Sequence, residues 1–303
     1  MTKLNKHYAA GIAAFTIWGF IPFPLKALSA YPSSQILFYR LIFALVGLLL
    51  LLATFKRKSL AEDLKKFRAE NPERKKKLLA TITVATLLLS FNWLLFIYVI
   101  NQVSVQAGSF SYLVCPILTA LLGYILLGEK LRNNQWIAIF MSLFSCALVA
   151  SGSLLSLVYS LAIALSYAIY LIAQRKLNGY DKIVLLAVQL GISFAVIAPW
   201  YLLTLPANQP TPDGTFLWNT LVLGLLFTVL PLFLNLFALK ELSSGTVGIL
   251  MYLNPIINFT MAFLYFDEKA ELQQVIAYVI IFISIGVYNW HVLQRNNENK
   301  QVS

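Results

Sequence analysis

Ten apolar runs, each close to the length of a bilayer crossing, decide what this chain can fold into. They cover residues 8–28, 34–55, 78–100, 105–127, 135–151, 153–173, 183–205, 217–239, 245–266 and 272–293. A hydrocarbon core ~30 Å thick takes ~20 residues of helix to cross. Unalternating stretches such as Leu41–Leu52 lack the period of barrel strands. Composition agrees, with 59% hydrophobic and 12% charged residues, where a soluble domain carries about 45–50% apolar and ~25% charged. Too few polar side chains remain to cover a soluble surface of this size. The joint at Ser151–Gly152–Ser153 is the point on which the count turns, because fusing the runs on either side would leave nine spans. The expectation is an all-α integral membrane protein of ten transmembrane helices.

The basic residues test that count. With the N-terminus inside, the inner segments are 1–7, 56–77, 128–134, 174–182, 240–244 and 294–303, and they hold 20 of the 23 lysines and arginines. The outer loops hold Lys269, and Lys26 and Arg40 fall within or at the edge of the first two runs. Such asymmetry orients a multi-pass chain with its basic loops in the cytoplasm, so both termini are expected there. The net charge of +11 is therefore an orientation signal and not a nucleic-acid footprint. Lys3 and Lys6 before the first run imitate a secretory leader. That run is long, lacks a small-residue cleavage site and contains Pro22 and Pro24, so it reads as a retained first helix. Between Lys56 and Lys77, Leu60, Leu64 and Phe67 share one helical face. The segment is either a short amphipathic helix on anionic headgroups or a solvated loop that fixes topology.

An internal repeat divides the chain. Cys115-Pro116 is followed thirteen residues on by Glu129-Lys130, and Asn254-Pro255 is followed at the same distance by Glu268-Lys269. Tyr112 and Tyr252 precede each proline, and Gln135 and Gln274 follow each Glu-Lys pair at one offset. A weaker match sets Trp18-Gly19 and Lys26 against Tyr167-Ala168 and Arg175. The shifts of 139 and 149 residues give two five-helix repeats, 1–151 and 152–303, within one membrane domain. Five is odd, so the repeats insert with opposite orientation. Inverted repeats around a midplane site are a recurring design of secondary carriers.

The same residues carry a family resemblance. Ala14-Phe15-Thr16-Ile17-Trp18-Gly19-Phe20, Arg40, Asn92-Trp93-Leu94-Leu95-Phe96-Ile97, Tyr112 with Pro116 and Leu127-Gly128-Glu129, Thr228-Val229-Leu230-Pro231-Leu232, and Gly248 with Tyr252, Pro255 and Glu268-Lys269 stand in this order. Together they resemble the EamA branch of the drug/metabolite transporter superfamily, and within it the RarD-type, chloramphenicol-sensitive carriers. The resemblance implies movement of a small molecule across the inner membrane and names no substrate. It departs in helix 7, where such sequences tend to carry a glutamate and this one places Gln189.

Polar side chains inside a membrane face the bundle or a cavity. Asn92, Asn235 and Asn254 either line a central cavity or tie helices together, at ~0.6 kcal/mol each. Trp18, Trp93, Tyr112 and Tyr252 are either pocket walls or packing, whereas Trp136, Trp200, Trp218 and Trp290 suit an interfacial belt. Arg40 either snorkels to the outer surface or binds a substrate anion. Pro116, Pro231 and Pro255 each remove a backbone donor and free a carbonyl one turn back, which makes them hinge candidates or static kinks.

No Asp, Glu or His falls deep within a run, and neither Cys115 nor Cys146 has a CxxC partner. Catalytic residues, metal ligands and cofactors are accordingly not expected, and no phosphate-binding loop is present. The expected function is a secondary carrier of the inner membrane that works by alternating access, in the export direction, with a small-molecule substrate and the lipid bilayer as partners. A channel or a non-transporting scaffold is the alternative. No sequence feature fixes an oligomeric state. The absence of a buried acid favours a neutral, zwitterionic or anionic substrate and little coupling to protons. Residues 29–33 and 206–215 are placed outside. In a chain lacking Cys115 and Cys146, Asp213→Cys should react with an impermeant thiol reagent in intact cells; labelling only after lysis would overturn the orientation.

Overall fold

The computed structural model describes residues 3–128, 130–177, 179–205, 209–238, 241–242, 250–269 and 271–301. Every regular element among them is helical: α1 (Lys3–Gly19), α2 (Pro22–Lys26), α3 (Ser33–Phe55), α4 (Arg57–Ala69), α5 (Pro72–Gln102), α6 (Val105–Leu127), α7 (Asn133–Gly152), α8 (Leu154–Lys176), α9 (Lys182–Leu203), α10 (Gly214–Gly224), a π turn (Leu225–Val229), α11 (Leu230–Ala238), α12 (Leu253–Leu264) and α13 (Leu272–Gln301).

Among the described residues, seven stretches are long and apolar enough to cross a bilayer: Lys6–Lys26, Ser33–Phe55, Pro72–Gln102, Val105–Leu126, Leu154–Gln174, Lys182–Leu203 and Gly214–Asn235. Three of the ten expected runs correspond instead to shorter apolar helices, Asn133–Val149, Leu253–Leu264 and Leu272–Tyr288. The ninth run is short for a local reason. Residues 243–249 lie outside the described residues, the chain turns at Met251 and Tyr252, and α12 begins only at Leu253. Pro255 therefore stands in the first turn of α12, where its missing N–H costs no ladder bond.

Several boundaries follow from capping chemistry. Ser153 is extended, at φ −153° and ψ 97°, and its side chain accepts from Ser156 N–H to start α8. The chain thus breaks between α7 and α8 and does not run through as one helix. Asp213 starts α10 by accepting from Phe216 N–H at 2.6 Å. Gly128 closes α6 in the left-handed region at φ 67°, which gives the Leu-Gly-Glu stretch a conformational reason; Glu129 lies outside the described residues.

The principal helix pairings are α7 with α13, α6 with α8 and α12, α5 with α8 and α9, α3 with α9 and α10, and α1 with α11 and α12. Small polar residues tie them: Ser90 meets Ser193 at 2.8 Å, Ser142 meets Ser284 at 3.0 Å, and Ser160 donates to Ala107 O at 2.8 Å. Outward faces carry Leu50, Phe140, Phe144, Trp200, Trp218 and Trp290, all exposed, as lipid contact requires. Backbones come closest where α3 crosses α10. A Cβ on Gly224 would lie 2.8 Å from Phe43 Cβ, and one on Gly47 would lie 2.5 Å from Leu225 Cδ2.

The basic segment forms a helix, α4, with no buried residue. It is docked by polar contacts: Lys56 Nζ pairs with Asp181 at 2.5 Å, Asp63 accepts from Asp181 N–H at 2.8 Å, and Lys66 Nζ donates to Gly179 O at 2.7 Å. Burial pushes the Asp181 carboxyl up. The Lys56 ammonium and the N–H groups of Ile183 and Val184 outweigh it and hold the group below its ordinary value.

A second tie joins the connection between α12 and α13 to the start of α6. The Glu268 carboxylate accepts from Val105 N–H at 2.7 Å and from Gln106 N–H at 3.0 Å, two donors that a helix start leaves open. Asp267, at φ 52°, turns the chain to present it. Glu268→Ala should lower the unfolding midpoint in detergent through loss of about 1–2 kcal/mol. An unchanged midpoint would show that the cap contributes nothing.

Candidate functional site

The site begins with a proline. Pro231 has no N–H, and the preceding turn, Leu225–Val229, widens into π geometry. The carbonyl one turn back, Phe227 O, lacks its helical donor and instead accepts from Trp18 Nε1 at 3.0 Å. The neighbouring Thr228 hydroxyl donates to Leu223 O at 2.8 Å and accepts from Arg40 Nε at 3.0 Å. One irregular turn in the second half of the chain therefore organises a tryptophan and an arginine from the first.

Arg40 does not snorkel. It is 3% exposed, its guanidinium lies 5.0 Å from the centre of the Trp93 ring, and its Nη1 has no hydrogen-bond partner. The close crossing of α3 and α10 at Gly224 holds it there, since Gly224 also approaches Arg40 O.

These residues border a cavity of about 90 Å³. Phe15, Trp18, Arg40, Trp93, Phe96 and Tyr112 come from the first half of the chain; Tyr167, Tyr170, Phe227, Thr228, Met251 and Asn254 come from the second. The aromatic rings form a continuous arc. Phe96 meets Tyr112 at 5.3 Å edge-on, Tyr112 meets Tyr167 at 5.9 Å, and Tyr167 stacks on Tyr170 at 5.5 Å. No Asp, Glu or His is among the described wall residues.

Of the residues singled out in sequence, Trp18, Arg40, Trp93, Tyr112 and Asn254 stand on this wall. Asn92 is fully buried beside it and donates to Ile163 O at 2.8 Å and Ser166 Oγ at 3.2 Å, which ties α5 to α8. Tyr252 is buried in the cluster formed by α6, α7, α8, α12 and α13. Asn235 is on α11 away from the wall, with its Oδ1 buried. Pro116 sits inside an unbroken α6. Gln189, the departure in helix 7, is buried and accepts from Gln174 Nε2 at 2.9 Å, off the wall. Sequence reasoning passed over Tyr167, Tyr170, Thr228 and Met251. Tyr167 did carry a signal, as the repeat counterpart of Trp18 on the opposite side of the same cavity.

Comparison with known proteins bears on what such a cavity serves. The EamA-like transporter family matches residues 5–151 and again 154–290. The chain belongs to this family. Its EamA-like relatives include an uncharacterized transporter of Pseudomonas aeruginosa, 28% identical over 97% of this chain and 97% of that protein. An uncharacterized transporter of Vibrio cholerae is 30% identical over 94% of this chain and 92% of its own length. Protein RarD of Escherichia coli is 25% identical, with 91% of each chain covered. A solved crystal structure superposes with a TM-score of 0.61 at 17% identity, over 97% of this chain and 99% of that one; this likeness concerns the fold alone. The protein is thus a multi-pass helical membrane protein of a transporter family.

Proposed function

We propose that the chain is a secondary carrier of the bacterial inner membrane, with ten spans, both termini cytoplasmic, and two inverted five-helix repeats that expose one cavity to each side in turn. Export of a small molecule is the direction this reading favours. The observation that carries it is the pairing pattern. Exchange α1 with α8, α3 with α9, α5 with α10–α11, α6 with α12 and α7 with α13. The α5–α8 pair becomes the α1–α11 pair, α6–α8 becomes α1–α12, and α5–α9 becomes α3–α10; α3–α9, α6–α12 and α7–α13 map onto themselves. The principal pairings survive exchange of the halves, as a twofold relation between repeats requires. Two separate matches to one family, on 5–151 and 154–290, support the same division.

In this reading α7, α12 and α13 are spans as well; α7 has 20 residues and α13 has 30, enough to cross a bilayer. The cavity lies where the halves meet, so rocking of one against the other changes its access. The Glu268 tie bridges the halves at the end where α6 begins, and closes that end in this conformation. Pro116 and the π turn before Pro231 are the places at which a span bends. Asn92 and Asn235 then act in packing, and Asn254 faces the substrate.

Proteoliposomes should take up labelled neutral, zwitterionic or anionic metabolites from a mixed panel with saturation. Preloading with unlabelled compound should produce a transient overshoot of label, and the flux should persist without a pH gradient. Uptake that rises linearly with concentration and shows no overshoot would mark a channel and contradict the carrier reading.

A further inference from the structure

We propose that the cavity takes a small monoanionic carboxylate with an apolar or aromatic body, and that the Arg40 guanidinium is the group that receives the carboxylate. The proposal rests on the carrier reading, and extends it from a cavity to a substrate class. A buried cation is costly unless it is paired and hydrogen-bonded. Arg40 is buried, yet its guanidinium donates to one hydroxyl, Thr228 Oγ1, and lies over one ring face, Trp93. Neither carries a negative charge, and Nη1 is left unpartnered. With no acidic residue among the described wall residues, the counter-charge must come with the ligand. A planar guanidinium fork suits a carboxylate in two-point contact.

The remaining wall narrows the choice. One fixed cation matches one negative charge, so a dianion such as a phosphate monoester would leave a charge without a partner. A zwitterion would bring an ammonium that needs acceptors, and the strongest acceptors are already engaged. Phe227 O accepts from Trp18, Asn254 Oδ1 accepts from Asn258 Nδ2 at 2.9 Å, and Thr228 Oγ1 accepts from Arg40. What is left is the aromatic arc of Phe96, Tyr112, Tyr167 and Tyr170, which suits an apolar or aromatic body. The tyrosine hydroxyls add donors of the kind a carboxylate uses.

The test is equilibrium binding to the purified full-length protein in detergent, with four probes of like shape: phenylacetate, phenylacetamide, phenylglycine and benzylamine. Phenylacetate should bind roughly 10-fold to 100-fold more tightly than its neutral amide, the range expected for a charge-assisted hydrogen bond. Phenylglycine should bind more weakly than phenylacetate, and benzylamine should not compete. Arg40→Gln should remove the preference for the acid over the amide. If that variant does not fold, Arg40→Lys serves in its place, and should keep the preference for the acid while binding it less tightly. Equal binding of acid and amide by the native protein, no binding of phenylacetate, tighter binding of phenylglycine, or acid binding indifferent to either variant would each overturn the proposal. Saturable counterflow of a neutral or cationic compound alongside such a result would leave the carrier reading standing. Linear uptake without overshoot would sink the carrier reading and leave this binding result to be judged separately.

Discussion

A guanidinium inside a membrane bundle has to be held by something, and here that something is an irregular turn of helix. Pro231 interrupts the backbone ladder, the turn before it widens to π geometry, and two groups become available: the Phe227 carbonyl and the Thr228 hydroxyl. Trp18 takes the first and Arg40 the second. Both arrive from the other half of the chain, so the defect in one repeat is satisfied by side chains of the other. A perfect helix at this point would have no spare acceptor at Phe227, and Trp18 would lose its fixed orientation on the cavity wall. Gly224 makes the arrangement possible, because a Cβ there would meet Phe43 Cβ and the α3 backbone.

The bundle around this point is built with little polar expense. Pairs of serines and a few amide side chains, Asn92, Asn134 and Gln174 with Gln189, join the helices, while large apolar side chains on the outer faces remain for lipid. Apart from Arg40 on the cavity wall, the ion pairs and carboxylate caps lie toward the helix ends, where they tie loops to helices. Lys56, Asp63 and Asp181 bind α4 to the start of α9, and Glu268 caps α6 from the far half of the chain. Packing in the middle of the bundle is thus largely non-directional, and directional bonds at the two ends hold one arrangement in place. That division suits a molecule whose halves must slide without exposing backbone to hydrocarbon.

Much of this was legible in the sequence, and the exceptions have physical causes. The apolar runs and the all-helical class follow from composition and periodicity, whereas the segment after Lys56 also suited a solvated loop and its helix is seen only in the structure. Pro231 leaves the Phe227 carbonyl free for a side chain, but a sequence does not say which donor finds that carbonyl. Trp18 and Phe227 are separated by 209 residues, and only the fold brings them together. Arg40 was ambiguous for the same reason, because snorkelling and burial depend on which helix crosses α3. Asn92 and Trp93 are neighbours in the chain, yet on adjacent helix faces one ties α5 to α8 and the other lines the cavity. Pro255 resembles Pro116 in its surroundings, and differs because α12 begins just before it.

In the proposed cycle one cavity between two repeats opens to each side in turn, and the Glu268 tie closes one end. Met251 lies on the cavity wall, and the sequence has two other cysteines to remove, Cys115 and Cys146. The direct test is the rate at which Met251→Cys, in such a cysteine-free chain, reacts with an impermeant thiol reagent in right-side-out and inside-out vesicles. Adding Glu268→Ala should raise the rate from the face at which α6 begins and lower it from the other. Rates that rise or fall together on both faces, or reaction from one face alone with and without the tie, would contradict the account.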